Sequence, residues 1–211
     1  MSQIEVISFD AEGTLVMPDF SQTLWHEAIP LLYAQKNEID LAQAKRVMAE
    51  EYDKIGDQRL EWYDIEYWFN SLGLGAAEPV IQSCRNKISY YPEVNEVLSS
   101  LNGKYKLVIA SGTPLELLGY LLQDIEHYFI QVFSSLSHYH QLKSPDFYLG
   151  MCQAMNVQPG RVVHVGDNWQ FDFLNSRQVG INAFHLDRLG GNHQESLSDL
   201  TQFKHLLLSQ Q

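Results

Sequence analysis

The sequence predicts an α/β fold with a doubly wound parallel sheet, interrupted after its first strand by an all-helical segment. From about residue 92 onward, short apolar runs of strand length alternate with helical patterns. Such alternation is typical of a parallel sheet covered by helices on both faces. Residues 16–89 carry helical patterns only. We therefore expect a Rossmann-like core of residues 1–15 and 90–211, with residues 16–89 inserted as a helical cap domain.

The first strand is expected at residues 4–9 (IEVISF), where Ile4, Val6 and Ile7 are apolar. Four helical patterns follow it, at residues 21–36, 40–55, 61–73 and 77–88. The second pattern is the clearest, because its apolar residues recur at helical spacing: Leu41, Ala44, Val47, Met48 and Ile55. The hinges of the insert are expected around Met17-Pro18 and Tyr91-Pro92.

The remaining elements follow in alternation. Helices are expected from Pro92 to Leu101 and at residues 114–123, 146–155, 170–179 and 197–208. Strands are expected at residues 106–110, 130–135, 161–165 and 181–186. The runs KLVIA and RVVHV are almost continuously apolar, as expected of strands buried on both faces.

Composition excludes several classes of function. The 211-residue chain has a formal net charge of -12 at pH 7, and no run of Lys and Arg offers a surface to a nucleic acid. No apolar run has the length of a membrane span, and the N-terminal stretch is too short and acidic for a secretory signal. Cys84 and Cys152 lack metal-ligand spacing, so we expect free thiols in the cytoplasm.

Polar residues follow four of the predicted strands, where open parallel sheets bind their ligands. They are Asp10, Ser111, Lys143 and Asp167. Each has a purely structural alternative. Asp10 could cap a turn, Lys143 could be a surface lysine, and Asp167 could cap a helix. Thr113 with Glu116 fits a capping box, and Asp172 fits a solvated acid in the first turn of a helix. His138 and His140 could also lie on one side of a strand as metal ligands.

The order of these residues carries more information than any one of them. DAEGT, IAS, LKSPD and VGDNWQFD follow one another along the chain. This series resembles the four motifs of the haloacid dehalogenase-like hydrolase superfamily, and the helical insert resembles the cap of that family. The match spans the chain. It departs from the family at the second acid of the first motif, where Glu12 replaces the usual aspartate.

The resemblance implies a phosphatase that uses Mg²⁺. Asp10 would be the nucleophile and would form an aspartyl-phosphate. The metal would be held by Asp10, the backbone carbonyl of Glu12 and Asp167, and would offset the repulsion between carboxylate and phosphate. The Glu12 side chain would be the general acid and then the base. Alternatively, that side chain points to solvent and only its carbonyl matters.

The resemblance also implies a set of phosphate-binding and supporting residues. Lys143 would neutralise phosphate charge, and Asp172 would orient Lys143 or a metal-bound water. The remaining residues would bind phosphate oxygens or brace the turn after the first strand; they are Ser111, Gly112, Thr113 and Thr14.

The function expected from these residues is Mg²⁺-dependent hydrolysis of a small phosphorylated metabolite, without nucleic acid or membrane as a partner. A 2-haloacid dehalogenase of the same fold is one alternative, although Asp167 and Asp172 would crowd an anionic substrate in a metal-free site. A non-catalytic binding protein that kept the fold is the other alternative.

Overall fold

A computed structural model describes residues 3–191, 193 and 195–209, and the chain divides into two compact units. The first unit contains Met1–Val16 and Tyr90–Gln211, and the second contains Met17–Ser89. No helix among the described residues combines the length and apolar character needed to cross a membrane. The role of the second unit as a cap stays a prediction.

The first unit contains a five-stranded, fully parallel sheet with the strand order β3-β2-β1-β4-β5. The strands are β1 Val6–Phe9, β2 Lys106–Ser111, β3 Gln131–Ser134, β4 Val162–Gly166 and β5 Asn182–His185. This sheet and its helices confirm the predicted α/β fold. Because β1 is the central strand, Asp10 leaves the middle of the sheet at its carboxyl edge.

The second unit is helical. Its α-helices are α1 Asp19–Thr23, α2 Ile29–Asn37, α3 Leu41–Ile55, α4 Ile65–Leu72 and α5 Glu78–Cys84. A π-helical turn, Leu24–Ala28, joins α1 to α2, so residues 19–37 form one helical run where residues 21–36 were predicted. Its aromatic side chains pack on one another, with the rings of Tyr52 and Trp68 4.7 Å apart and nearly perpendicular.

The helices of the first unit are α6 Val94–Leu101, α7 Leu115–Leu121, α8 Ser135–Tyr139, α9 Pro145–Ala154, α10 Asn175–Gln178 and α11 Leu200–Ser209. A π-helical segment, Trp169–Leu174, precedes α10. The possibility that His138 and His140 lie on one side of a strand is wrong, because Ser135–Tyr139 forms α8 and His140 is its C-cap. Ser134 caps that helix with its hydroxyl, and His138 Nδ1 accepts the Ser134 amide at 3.1 Å.

Helices cover both faces of the sheet. On one face, Val108 and Phe133 pack with Phe147 and Met151 of α9 in a buried cluster. On the other face, the rings of Phe9 and Phe184 lie 6.0 and 5.4 Å from that of Phe203 in α11. Both faces of the sheet are therefore covered by helices, which explains why the strand sequences are almost continuously apolar.

Candidate active site

Asp10 stands directly beyond the central strand. Its amide donates a hydrogen bond to the Val165 carbonyl at 3.0 Å, which continues the β1–β4 ladder by one residue. The side chain is buried, with 6% of the residue exposed. Burial raises the pKa of Asp10, and the ammonium group of Lys143 offsets part of that rise. The fold therefore keeps this carboxylate poorly solvated.

Lys143 lies between two acids. Its Nζ is 3.0 Å from Asp10 Oδ1 and 2.5 Å from Asp172 Oδ1, and 6% of its side chain is exposed. The contact with Asp10 is a buried ion pair. Although burial lowers the pKa of Lys143, the two carboxylates raise it overall, so the side chain is an ammonium. The surface-lysine alternative is wrong.

Asp172 is completely buried, which excludes the alternative of a solvated helix acid. Its Oδ1 accepts from Lys143, and its Oδ2 accepts the Asn168 amide at 2.9 Å. A Cβ atom on residue 166 would collide with this carboxyl group, so only Gly166 lets Asp172 approach the end of β4. Burial raises the pKa of Asp172, but Lys143 and His164 outweigh this and lower the pKa overall. Of its two predicted roles, the geometry supports the orientation of Lys143.

Asp167 completes a group of three carboxylates. One carboxylate oxygen each of Asp10, Asp167 and Asp172 can be chosen so that all lie within 4.8 Å of one another. Residue 167 as a whole is exposed, while its carboxyl group packs against Gly13, whose φ is +72°. Any Cβ atom on residue 13 would overlap that carboxyl group. Gly13 therefore has two roles: it adopts the positive φ of the turn, and it leaves room for the Asp167 carboxyl group.

This donor set fits Mg²⁺. Three carboxylates face one ammonium group, which leaves two uncompensated negative charges (3 − 1 = 2) for a divalent cation to balance. Carboxylate oxygens are also the ligands that Mg²⁺ prefers. Asp10 and Asp167 would hold the ion, since both oxygens of Asp172 already accept hydrogen bonds from the protein.

Glu12 directs its side chain toward the second motif. The Thr113 hydroxyl donates to Glu12 Oε2 at 2.9 Å, across 101 residues of sequence. The predicted capping box of Thr113 with Glu116 is wrong, because Pro114 is the N-cap of α7 and the threonine hydroxyl bonds Glu12 instead. A long-range partner has thus replaced a local one. The contact argues against the alternative in which the Glu12 side chain points to solvent.

Ser111 ends strand β2 at the same edge of the sheet as Asp10, since Phe9 pairs with Ile109 in the register. Its side chain is buried, and its Oγ accepts the Thr113 amide at 3.3 Å. Gly112 follows, with open space where a Cβ would stand. The predicted phosphate-binding residues therefore lie together at the carboxyl edge.

Thr14 and Arg188 shape the turn after β1. Thr14 is fully buried, and its hydroxyl oxygen has no hydrogen-bond partner among the described residues, so the predicted brace is not made by this hydroxyl. Arg188 supplies a brace instead, donating to the Gly13 carbonyl at 3.1 Å and the Thr14 carbonyl at 2.6 Å. It also pairs with Glu93 at 2.8 Å and lies over the Tyr91 ring.

Sequence reasoning missed Arg188 and three buried polar residues, Ser8, Tyr148 and His164. Arg188 carries no local signal, because it stands in an irregular segment after β5. His164 had one: a histidine within the apolar run RVVHV must find a buried partner.

A family model and several known proteins match this chain. Residues 4–178 match the family model described as haloacid dehalogenase-like hydrolase. The chain is 28% identical over 71 residues to the GMP/IMP nucleotidase YrfG of Escherichia coli (strain K12). That match covers 34% of this chain and 32% of the relative, so the chain spans about one third of the length of the curated relatives it matches.

Solved structures resemble the whole fold. A HAD phosphatase from Thermococcus onnurineus aligns with a TM-score of 0.83 at 22% identity, covering 97% of this chain and 98% of that one. A 2-haloacid dehalogenase from Pseudomonas syringae pv. Tomato DC3000 aligns with a TM-score of 0.70 at 17% identity, covering 99% and 100%. At these identities the likeness concerns the fold alone.

Proposed function

The chain belongs to the haloacid dehalogenase-like hydrolase family, and we propose that it is a Mg²⁺-dependent phosphatase acting on a small phosphorylated metabolite. The observation that carries the proposal is the buried chain Asp10–Lys143–Asp172 beside the carboxylate of Asp167. It combines a desolvated nucleophile, a fixed positive charge and a pair of hard ligands. Bound at Asp10, Asp167 and the Glu12 carbonyl, Mg²⁺ would lower the repulsion between nucleophile and phosphate.

In the first step, a carboxylate oxygen of Asp10 attacks phosphorus and the bond from phosphorus to the leaving oxygen breaks. Glu12, in its carboxylic acid form, gives its proton to that oxygen, so an alcohol leaves. Lys143 offsets the charge of the phosphoryl oxygens, and Ser111 with the amides of Gly112 and Thr113 donates hydrogen bonds to them.

In the second step, water attacks the phosphorus of the aspartyl-phosphate. The Glu12 carboxylate takes a proton from the water, the bond between phosphorus and the Asp10 oxygen breaks, and inorganic phosphate leaves. Asp10 returns as a carboxylate and Glu12 as an acid. The hydrogen bond from Thr113 supports this role, because it holds the Glu12 carboxyl group inside the crevice in both steps.

The dehalogenase alternative is less well supported by the charges of the site. A 2-haloacid is itself an anion, and without a metal it would meet two uncompensated negative charges.

Purine nucleoside monophosphates should be among the first substrates tested, since a nucleotidase is among the relatives. A reducing, cytoplasmic location remains part of the proposal, consistent with two buried free thiols.

Removal of Mg²⁺ should abolish turnover of p-nitrophenyl phosphate. We expect chelation to lower the rate by about a hundredfold or more, because the metal supplies several kcal/mol of charge stabilisation. The assay compares EDTA-treated protein before and after Mg²⁺ is restored. Equal rates would contradict the metal role, and metal-independent chloride release from a 2-chloroacid would support the dehalogenase.

Binding of the metal can be read without activity, from the melting temperature. The pKa of Asp167 is raised well above its ordinary value of 3.8, mainly by burial of the carboxyl group and then by repulsion from Asp10 and Asp172. Because the pKa of Asp167 is higher in the folded state than in the unfolded state, ionisation of this acid destabilises the metal-free fold. The loss of stability begins as pH rises past 3.8 and is complete above the raised pKa. At pH 7, Mg²⁺ should therefore raise the melting temperature of the parent. Metal-free Asp167→Asn should melt at or above the parent and should respond less to Mg²⁺.

Replacement of Glu12 by glutamine should separate proton transfer from shape. We expect Glu12→Gln to turn over an alkyl phosphate about a hundredfold more slowly or worse, because an alkoxide is a poor leaving group without a proton. The loss should be smaller for p-nitrophenyl phosphate, whose leaving group hardly needs one. Glu116→Gln, at an exposed position of α7, is the matched control. Parental turnover of the alkyl phosphate by Glu12→Gln would contradict the acid–base role.

A further inference from the structure

His164 is a buried histidine for which the proposed reaction has no direct use. It lies in β4, is fully buried, and pairs in the parallel register with Ser8 of β1. Its Nδ1 is 2.9 Å from Ser8 Oγ, and its Nε2 is 3.0 Å from Asp172 Oδ1 and 3.1 Å from Tyr148 Oη. Ser8, Tyr148 and Asp172 are also fully buried. A polar chain therefore runs from the central strand to the acid that holds Lys143.

The partners of the ring determine where its proton lies. The Asp172 carboxylate can only accept, so Nε2 must be the donor. A neutral ring then leaves Nδ1 as an acceptor, which the Ser8 hydroxyl can satisfy. The other acceptor within reach of that hydroxyl is the Met151 sulfur at 3.6 Å, a weaker one. Tyr148 is free to donate to the Phe171 carbonyl at 3.0 Å. Every member of the chain has a partner in this arrangement, whereas a doubly protonated ring would turn the Ser8 hydroxyl to the weaker Met151 sulfur.

The proton on Nε2 has a consequence for the active site. Asp172 Oδ1 accepts from both His164 and Lys143, while Oδ2 accepts the Asn168 amide. The Tyr148 hydroxyl is a further donor within reach of Oδ1, at 3.3 Å, so the acid is held by four neighbouring groups and Lys143 stays 3.0 Å from Asp10. Without the histidine, Asp172 would lose one of these restraints in a site where its oxygen can come within 4.8 Å of the other two acids.

We propose that His164, held as the neutral Nε2–H tautomer by Ser8, is a positioning residue that keeps Asp172 on Lys143 and so keeps Lys143 on the nucleophile. The inference rests on the proposed function for its kinetic consequence, while its structural content is independent of activity. Ser8 stands two residues before Asp10, so the strand that delivers the nucleophile also sets the proton of the histidine.

Nitrogen NMR of the full chain labelled in histidine tests the tautomer. The His164 signals are assigned by their loss in His164→Gln. We expect a protonated Nε2 and an unprotonated Nδ1 at pH 7.5, with Ser8→Ala shifting the ring toward the other tautomer or a mixture. A protonated Nδ1 in the parent, or no change in Ser8→Ala, would overturn the assignment to Ser8.

Two variants of His164 form a matched pair for the positioning role. Glutamine can place its amide nitrogen near the position of Nε2, whereas asparagine reaches only the position of Nδ1. One hydrogen bond to a charged group corresponds to about a tenfold effect or more. We therefore expect kcat for p-nitrophenyl phosphate to fall about tenfold in His164→Asn and much less in His164→Gln. In an Asp172→Asn background, the loss caused by His164→Asn should vanish.

A merely structural histidine would give a different pattern. In its two variants, the fall in kcat would be proportional to the fall in melting temperature. The loss of kcat would also add to the loss caused by Asp172→Asn. Either result would overturn the proposal. If the parent hydrolyses no phosphomonoester, the proposed function fails and the Lys143 ammonium nitrogen signal decides this inference. That signal should move in His164→Asn and stay in His164→Gln, and an unmoved signal in both would overturn it.

Discussion

Replacement of Asp10 by asparagine should abolish phosphatase activity and leave the fold at least as stable as the parent. We expect a loss on the order of a thousandfold or more, because an amide oxygen of similar shape cannot form the covalent intermediate. Burial raises the pKa of Asp10, so its charge is unfavourable in the folded state at neutral pH. Removing that charge should keep or raise the melting temperature measured without metal.

Trapping of the phosphoenzyme gives a second measurement on the same variant. The parent should form an acid-stable, hydroxylamine-sensitive phosphoryl group during turnover, and Asp10→Asn should form none. Asp146→Asn, an exposed acid in the first turn of α9, is the matched control for both assays. A fully active Asp10→Asn protein would assign the nucleophile to another residue. Parental protein that never carries phosphate would instead favour a non-covalent reaction or the binding-protein alternative.

Replacement of Lys143 by alanine should lower both activity and stability. The expected fall in turnover is about a hundredfold or more, because a buried charge beside the phosphoryl group is lost. The effect on folding is expected because the structure places the ammonium group between two buried carboxylates. Leaving them unpaired should cost about 3–5 kcal/mol of unfolding free energy.

The pH dependence identifies the cause of that loss. Without Lys143, the pKa values of Asp10 and Asp172 should both lie higher in the folded state. Acids with raised pKa values destabilise the fold as pH rises through the interval between the unfolded and folded values. The difference in melting temperature between Lys143→Ala and the parent should therefore be smaller at pH 4 than at pH 8. Lys104→Ala, at an exposed position, should show neither effect, and a pH-independent difference would point to lost packing instead.

The sequence was sufficient for the fold and for the order of the site residues. Apolar runs such as KLVIA and RVVHV predict dry strands because parallel sheets are covered on both faces. Residues placed at the ends of such strands meet at one edge of the sheet, whatever their separation in sequence. Asp10, Lys143 and Asp167 were identified because they stand at or just past strand ends, and Asp172 was identified from the resemblance of VGDNWQFD to the fourth motif of the family.

Contacts between distant segments could not be predicted in the same way. Thr113 shows a complete local capping pattern, yet its hydroxyl bonds Glu12, because the folded chain offers a carboxyl acceptor that the local pattern cannot reveal. Arg188 and the pairing of Ser8 with His164 depend on strand register and on loop paths. Periodicity indicates that such side chains are buried, but it does not identify the group that satisfies them.

The second unit, Met17–Ser89, is inserted into the first unit between two segments that lie side by side. Val16 and Tyr90, the residues on either side of the second unit, form a β-bridge, and the Tyr91 amide donates to the Leu15 carbonyl at 3.1 Å. The two segments that flank the second unit are thus hydrogen-bonded to each other. Arg188 contacts both of them, through the Thr14 carbonyl and the Tyr91 ring. The loop-closure entropy of such an inserted segment grows only slowly with its length. Residues 17–89 could therefore be exchanged for another folded module while the first unit keeps its sheet and the candidate site.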